Sequence, residues 1–374
     1  MTNTSSDIRP FRIEIPEAEL DDLADRLSRV RWANELPGAG ADYGVPVDRV
    51  KALVEYWKDG YDWRAWEAKL NSYPQFITAI DGQDVHFIHV KSPEPDAFPL
   101  ILTHGWPGSI VEYLDVIGPL TDPRAHGGEP SMAFDLVIPS IPGFAFSGPT
   151  TERGWTRYRV ARAWTSLMER LGYDQYGAVG NDAGSFIAPE LGRIAPDRVV
   201  GVHVTQIFSF PSGDPAEFEG LSEADHAALA HLQWFHENMS AFNQLQSQQP
   251  QTLSHAIADS PVGLLGWNGQ LLDGLDPDFV LTNVMIYWLT GTSASSMRFY
   301  YEDAHIDEHP AEPTTVPLGL ASFAGDFKSI RRFAERDHKA IVSWTEYDRG
   351  GHYAAHEAPD LLTADIRGFF AGLC

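Results

Sequence analysis

Apolar residues recur every three or four positions near the start of the chain. In "PEAELDDLADRLSRV", residues 16–30, this spacing predicts a helix with one apolar face, entered at Pro16 after a short strand-like "FRIEI". Residues 47–58 show the same spacing and are followed by Gly60, which predicts a second helix. Both apolar faces need a partner, so we expect this segment to wrap around the domain that follows it.

The spacing of apolar residues changes to two from Phe76 onward. The runs "QFITAI" and "DVHFIHV" flank Asp81 and Gly82, a pair that predicts a tight β-hairpin. Strand-like apolar runs then alternate with helical segments, and these runs are "FPLILTHG", "FDLVIPSIPG", "YGAVGN", "VVGVHVTQ", "TVPLGLASF" and "AIVSWTEY". This alternation predicts an α/β fold, with a mostly parallel sheet and helices on both of its faces.

The alternation stops between residues 208 and 313, where the pattern is helical. A helix start is indicated at Ser222, and "SQQPQT" and "LLDGLDPDF" interrupt the helices. An insertion between two strands of such a sheet lies above the carboxyl ends of the strands, where ligands bind. We therefore expect 208–313 to be a helical lid and 95–207 with 314–374 to be the α/β core. Residues 1–94 are expected to form an N-terminal segment and hairpin packed on that core.

Composition and charge narrow the range of partners. The 374 residues are 43% hydrophobic and carry a formal charge of −25, which argues against nucleic-acid and anionic-membrane partners because both need a basic surface. Cys374 is the single cysteine, so neither an intrachain disulfide nor a thiolate metal site is expected. The N-terminus lacks the apolar core of a signal peptide, and no run reaches the roughly 18 apolar residues of a spanning helix. These features predict a cytoplasmic protein without a membrane partner.

The run "YGAVGNDAGSF" has the pattern of a strand, a glycine-flanked turn and the start of a helix. In hydrolases this turn presents a nucleophile at its centre, and here that position is Asp182, between Gly180 and Gly184. One interpretation makes Asp182 an ordinary N-cap of the helix. The other makes it a nucleophile that attacks saturated carbon and forms an ester. The flanking glycines favour the nucleophile, because an ordinary cap does not need such close approach of the backbone.

The ester must be hydrolysed, which requires a base that activates water. The loop "DRGGHYAAHEAPD" offers His352, while His356 lies one helical turn further on and is the competing candidate. The acid that orients the histidine is expected after the preceding strand, where "LGLASFAGDF" contains Asp326. Glu346 and Asp348 are alternatives, but they belong to the same strand end as the histidine itself. We therefore expect Asp326 to be the partner of His352.

Hydrolysis also requires donors for the tetrahedral oxyanion. The run "LTHGWPGS" follows a predicted strand and matches the loop that supplies one such donor. We expect the oxyanion hole to consist of the backbone N–H groups of Trp106 and Ala183.

Neither a metal nor a cofactor is expected. His226, His231 and His236 lie five positions apart on one predicted helix, with about 140° between neighbours, so they do not share a face. The sequence also lacks a Walker loop and a strand-linked G-x-G-x-x-G motif.

Taken together, several motifs resemble one known family. "HGWPGS", "GNDAGS", "RFYYE", "FAGD" and "RGGHYAA" resemble the microsomal-type epoxide hydrolases of the α/β-hydrolase superfamily, and "FRIEIPEAELDDLADRLSRVRW" is similar to the N-terminal segment of that group. The resemblance runs from about Arg9 to the C-terminus. It implies that Asp182 is the nucleophile, His352 the base and Asp326 its partner. It also implies a lid tyrosine that protonates the epoxide oxygen, and this tyrosine corresponds to Tyr300.

The sequence departs from the family pattern at two positions. A second lid tyrosine is replaced by Phe242, and the tryptophan usual after the nucleophile is replaced by Ala183. Tyr300 would then act alone, or another residue such as Tyr301 would help, or activity would be weak or changed. Loss of the large ring at position 183 predicts a wider pocket floor. We expect Trp106, Phe242 and Tyr301 to contact the substrate, which we expect to be a bulky apolar epoxide.

Two other functions stay open. Haloalkane dehalogenases also use an aspartate on this turn, but they hold the halide with an indole N–H from the next residue, which Ala183 lacks. A catalytically idle scaffold that binds a small molecule is the third interpretation, motivated by Phe242. The sequence does not decide the oligomeric state, for which a homodimer is one candidate.

Overall fold

The computed structural model describes residues 7–128, 132–307 and 312–374, and in these ranges nine strands form one sheet. The strands are β1 (Arg9–Phe11), β2 (Gln75–Ile80), β3 (Gln83–Val90), β4 (Phe98–Thr103), β5 (Phe134–Pro139), β6 (Tyr176–Gly180), β7 (Val199–Val204), β8 (Leu318–Ser322) and β9 (Ile341–Glu346). Their order is β1-β2-β3-β5-β4-β6-β7-β8-β9, antiparallel up to the β3–β5 pair and parallel from β5 to β9. The predicted α/β fold is confirmed.

Fifteen α-helices connect the strands within the described ranges. They are α1 (Glu17–Ser28), α2 (Val47–Asp59), α3 (Trp63–Leu70), α4 (Leu114–Thr121), α5 (Arg157–Arg170), α6 (Ala183–Ile194), α7 (Glu223–Asn238), α8 (Ala241–Gln248), α9 (Pro250–Ile257), α10 (Pro261–Gly269), α11 (Pro277–Leu289), α12 (Ser293–Ala304), α13 (Arg331–Asp337), α14 (Ala354–Glu357) and α15 (Pro359–Ala371). Sequence analysis did not identify α3. None of the helices in these ranges combines the length and the apolarity needed to cross a bilayer.

The two faces of the sheet are covered by different helices. On β7, Gly201 lies against Phe369 of α15, whereas the next residue, Val202, lies against Gly192 of α6. Successive residues of a strand point to opposite faces, so α15 and α6 cover opposite sides of the sheet. The parallel strands β4 to β8 are largely buried, which explains why their sequences are continuous apolar runs, whereas β9 at the edge of the sheet is more exposed.

The hairpin between β2 and β3 has the predicted turn. Ile80 pairs with Gln83 across Asp81 and Gly82, whose φ angles are 52° and 79°. Two successive positive φ angles are typical of the two-residue turns that match the twist of a hairpin.

The first strand differs from the prediction. The run "FRIEI" covers residues 11–15, but β1 ends at Phe11. The backbone N–H and carbonyl of Ile13 instead bond to the side chain of Asn71, at 2.9 and 2.8 Å, and the N–H of Ile15 donates to Glu67 at 2.8 Å. Side chains of α3 and its C-cap thus form the hydrogen bonds with this backbone that a neighbouring strand would otherwise form.

The N-terminal helices pack against the helical insertion. Trp57 of α2 donates its indole N–H to the sulfur of Met285 at 3.2 Å, and the hydroxyl of Tyr61 lies 3.0 Å from that of Thr282. Both partners lie on α11. The N-terminal segment therefore covers the insertion.

The insertion between β7 and β8 consists of α7 to α12 within the described residues. Ser222 caps α7 through a reciprocal capping box with Asp225. The helices are interrupted at Gln249 and again before Asp276, as the sequence predicts. These helices supply the aromatic side chains that face the turn after β6.

The turn between β6 and α6 leaves no space for side chains at its glycines. A Cβ on Gly184 would lie 1.9 Å from the carbonyl oxygen of Thr103, and one on Gly180 would lie 2.1 Å from the carbonyl oxygen of Gly184. Both distances are far shorter than any van der Waals contact, so α6 can start this close to β4 only with glycine at these positions.

We predict that Gly184→Ala lowers the free energy of unfolding by about 3 kcal/mol or leaves no folded protein, because the new methyl group meets backbone that cannot move aside. The matched control is Gly266→Ala inside α10, where an added Cβ meets nothing within 4 Å. That change should raise stability by roughly 0.5–1 kcal/mol. Urea unfolding of both variants measures the difference, and equal stabilities would contradict this account of the turn.

Candidate active site

Asp182 occupies the turn at the carboxyl end of β6 in a strained backbone conformation. Its φ is 52° and its ψ is −118°, a combination that non-glycine residues rarely adopt. Asp182 precedes the first residue of α6, but its side chain makes no capping hydrogen bond. Its Oδ1 instead accepts a hydrogen bond from the backbone N–H of Trp106 at 2.9 Å. The geometry therefore favours the nucleophile interpretation over the N-cap.

The loop that follows β4 comes very close to this carboxylate. A Cβ on Gly105 would lie 2.0 Å from Oδ1 of Asp182, so only glycine allows the backbone to approach at this point. Trp106 and Ala183, the two predicted oxyanion donors, thus lie on either side of Asp182: one on the approaching loop and one at the start of α6.

His352 connects the two predicted carboxylates. Its Nδ1 lies 2.9 Å from Oδ1 of Asp326, and its Nε2 lies 3.6 Å from Oδ2 of Asp182. The competing histidine, His356, pairs instead with Asp115 at 2.9 Å. Among the described residues the carboxylates paired with His352 are those of Asp326 and Asp182, and neither alternative acid on the β9 side takes that position.

The charges of these groups stabilise one another. Burial by itself lowers the pKa of His352, but the neighbouring charges of Asp326 and Asp182 outweigh it and raise that pKa well above its usual value. For Asp326, burial raises the pKa, yet the charge and hydrogen bond of His352 bring it below its usual value. In the resting state the three groups therefore favour a protonated imidazole between two carboxylates.

Gln206, just after β7, holds the nucleophile and its partner acid in place. Its Oε1 accepts hydrogen bonds from the backbone N–H of Asp182 and from the hydroxyl of Ser185, both at 2.9 Å. Its Nε2 donates to Oδ2 of Asp326. Sequence analysis missed this residue, because a single glutamine after a strand carries no motif.

Three aromatic side chains lie above the carboxylate. The ring of Trp106 stacks on Phe242 with centroids 5.6 Å apart, and Tyr300 meets both rings edge-on at 6.0 and 6.2 Å. Phe242 comes from α8 and Tyr300 from α12, so the insertion contributes two walls of the site. Burial, with a contribution from the charge of Asp182, raises the pKa of Tyr300 well above its usual value, which keeps this hydroxyl protonated.

Tyr301, predicted as a substrate contact, lies on the exposed side of α12 rather than among the rings around Asp182. Its side chain is 39% exposed, and its ring stacks on that of His305 with centroids 4.1 Å apart. Adjacent residues of a helix point about 100° apart, and here Tyr300 contacts Trp106 and Phe242 while Tyr301 contacts His305.

The insertion also holds the loop that carries Trp106. The hydroxyl of Tyr287 donates to the carbonyl oxygen of Gly108, and the hydroxyl of Ser109 donates to Oδ1 of Asn283, both at 2.7 Å. Tyr287 and Asn283 lie on α11, the helix that the N-terminal segment covers. These two hydrogen bonds hold the loop to the insertion.

In the parts of the chain that the structure describes, no three His, Cys, Asp or Glu side chains are arranged to hold a metal ion. The three histidines of α7 are among them and form no such group.

Comparison with known proteins agrees with this geometry. Residues 8–113 match the family described as "Epoxide hydrolase N terminus", and residues 99–256 match the family described as "alpha/beta hydrolase fold". The chain is 34% identical to epoxide hydrolase 1 of Sus scrofa over 97% of this chain and 88% of that protein.

Two solved structures have the same fold over nearly the whole chain. One is the epoxide hydrolase of Aspergillus niger, with a TM-score of 0.86, 30% identity and coverage of 99% of this chain and 98% of that one. The other is the juvenile hormone epoxide hydrolase of Bombyx mori, with a TM-score of 0.90, 26% identity and coverage of 99% and 95%.

Proposed function

The chain belongs to the epoxide hydrolase family, and we propose that it converts epoxides to vicinal diols through an ester formed on Asp182. The observation that carries this proposal is the position of the Asp182 carboxylate. It is held by the N–H of Trp106 at 2.9 Å and lies 3.6 Å from Nε2 of His352. A carboxylate between an oxyanion donor and a base can first be alkylated and then released.

In the first step an oxygen of Asp182 attacks one carbon of the epoxide. A bond forms from the carboxylate oxygen to that carbon, and the bond from the carbon to the ring oxygen breaks. The ring oxygen takes a proton from the hydroxyl of Tyr300, whose half-buried ring packs against Trp106 and Phe242. Phe242 has no hydroxyl, so Tyr300 is the lid residue of this group that supplies the proton.

In the second step water hydrolyses the ester. His352 takes a proton from water, the oxygen adds to Cγ of Asp182, and the N–H groups of Trp106 and Ala183 stabilise the oxyanion. The ester bond then breaks, and His352 returns its proton to the leaving alkoxide. The second proton of the water stays on the new carboxyl group and restores Tyr300 when Asp182 ionises again.

The charges of the site couple these two steps. In the resting state the charge of Asp182 is one of the causes that raise the pKa of His352. Alkylation removes that charge, so the imidazole loses its proton more easily and becomes a base. The attack on the epoxide therefore prepares the histidine for the step that follows.

We propose that the substrate is a bulky apolar epoxide. Three aromatic rings lie above the carboxylate, and the small Ala183 follows it where a large ring would narrow the site. A dehalogenase is disfavoured because Ala183 provides no indole N–H for a halide. An idle scaffold is disfavoured because the base, its acid and the nucleophile keep contacts suited to hydrolysis.

The proposal predicts that His352→Gln protein accumulates the ester, because alkylation continues while hydrolysis has lost its base. Intact-protein mass spectrometry after incubation with an apolar epoxide should show an increase equal to the mass of the epoxide, located on the peptide that contains Asp182. The matched control is Asp182→Asn, which should show none. An adduct on another residue, or none with any epoxide, would contradict the proposed reaction.

A second prediction separates the two neighbouring tyrosines. Tyr300→Phe should slow alkylation of Asp182 by about 100-fold or more, because the ring oxygen loses its proton donor. Hydrolysis of the ester should change little. Tyr301→Phe, the matched control on the exposed face of the same helix, should leave both rates within about twofold of wild type. Rapid-quench single-turnover kinetics measures both steps. An unchanged alkylation rate in Tyr300→Phe would remove Tyr300 from its proposed role, and slow alkylation in Tyr301→Phe would then assign that role to Tyr301.

A further inference from the structure

Glu112 is a buried carboxyl group beside the site that the two-step reaction leaves unused. It lies in the 3-10 turn Ile110–Tyr113 that follows the oxyanion loop, with 1% of its surface exposed. Its Oε1 accepts a long hydrogen bond from Nδ2 of Asn181 at 3.4 Å. Its Oε2 has no hydrogen-bond partner among the residues that the structure describes. Burying a carboxyl oxygen in this way is costly, which indicates a functional reason for its position.

The unpartnered oxygen faces the catalytic loops. A Cβ on Gly108 would lie 2.7 Å from Oε2 of Glu112 and 3.2 Å from the ring of Tyr353. Tyr353 follows His352 directly, and the two rings meet edge-on with centroids 5.1 Å apart. Oε2 therefore lies between the loop that approaches Asp182 and the residue next to the base.

Hydrogen bonds connect Glu112 to the catalytic groups through two amides. Oδ1 of Asn181, whose Nδ2 reaches Glu112, accepts a hydrogen bond from Nε2 of Gln206 at 2.8 Å. Gln206 in turn contacts both Asp182 and Asp326. The carboxyl group of Glu112 is thus fixed relative to both catalytic carboxylates.

The surroundings of Glu112 also have space for a small molecule. An enclosed cavity of about 10 Å³ is lined by Glu112, Asn181, Thr205 and Ala354, among other residues. This volume suits about one water molecule, and polar side chains contribute to its wall. Gly180 and Asn181 also line it and directly precede Asp182, so the cavity lies beside the turn that carries the nucleophile.

The charge of Glu112 depends on the state of Asp182. The pKa of Glu112 is raised to about 8, mainly by burial; the charge of His352 acts in the opposite direction, and the charge of Asp182 acts in the same direction as burial. When Asp182 becomes an ester its charge is lost, which favours ionisation of Glu112, whereas the accompanying loss of the proton from His352 opposes it. In either protonation state the carboxyl group keeps an oxygen that can accept a hydrogen bond.

We propose that Glu112 positions the water that hydrolyses the Asp182 ester, an inference that rests on the two-step reaction proposed above. Its Oε2 accepts a hydrogen bond from one hydrogen of the water, while Nε2 of His352 takes the other as a proton. The water oxygen forms a bond to Cγ of Asp182, and the bond from Cγ to the alkyl oxygen breaks. Glu112 takes no proton in this step; it fixes the direction from which the oxygen attacks.

The test compares the formation and decay of the ester in Glu112→Gln protein. Rapid-quench single turnover with an apolar epoxide and intact-protein mass spectrometry give both rates. We expect decay to slow by about tenfold or more while formation stays within about twofold, so that the ester accumulates. The matched control is Glu190→Gln, a change at another largely buried glutamate, paired with Arg193 and outside the site. It should leave both rates unchanged.

Unchanged decay in Glu112→Gln, or an equal loss of both rates, would overturn the proposal, since a purely structural residue would affect the two steps alike. If this variant does not fold, the same two rates are measured in Glu112→Asp, whose side chain is shorter by one methylene. The same results would support or overturn the proposal. The His352→Gln adduct distinguishes the two failures. Its absence would reject the two-step reaction itself, whereas its presence together with normal decay in Glu112→Gln would reject only the role of Glu112.

Discussion

The close approach of three backbone segments around Asp182 is the constraint on which the site depends. The loop after β4, the end of β6 and the start of α6 come so close that a Cβ on Gly105, Gly180 or Gly184 would overlap neighbouring atoms. This packing gives Asp182 its positive φ and brings the N–H of Trp106 to its carboxylate. The contacts of the backbone around Asp182 are therefore the main factor that positions its carboxylate.

The rest of the fold supports this arrangement from two sides. From the sheet, Gln206 binds the backbone of Asp182 and the side chain of Asp326, so the nucleophile and the partner of the base share one anchor. From the insertion, Tyr287 binds the oxyanion loop at Gly108. The N-terminal helices cover the same helix, α11, which explains why a segment far from the chemistry in sequence contributes to the order of the site.

Sequence patterns predicted what depends on periodicity or on a local motif. The hairpin at Asp81 and each strand of the parallel sheet fall in this class, because their signals lie within a few consecutive residues. The contact between His352 and Asp326 followed from two local motifs together with the order in which this fold places them. The sequence patterns did not distinguish between neighbouring residues that differ in the direction of their side chains. Tyr301 was expected in the site beside Tyr300, although their directions on a helix differ.

Residues whose role arises from tertiary proximity alone have no local pattern. Neither Gln206 nor Glu112 belongs to a recognisable sequence motif. The fold places Gln206 against the backbone of Asp182 and Glu112 against the side chain of the preceding residue, Asn181. The domain boundaries, the cytoplasmic location and the homodimer stay predictions.

The central claim is that the carboxylate of Asp182 itself attacks the epoxide. Single turnover with enzyme in excess over an apolar epoxide in water enriched in ¹⁸O tests it most directly. The account predicts that ¹⁸O enters the carboxyl group of Asp182, detected in its peptide by mass spectrometry, and that the diol of the first turnover carries none. Label in that first diol, with none on Asp182, would show that water attacks the epoxide directly and would contradict the account.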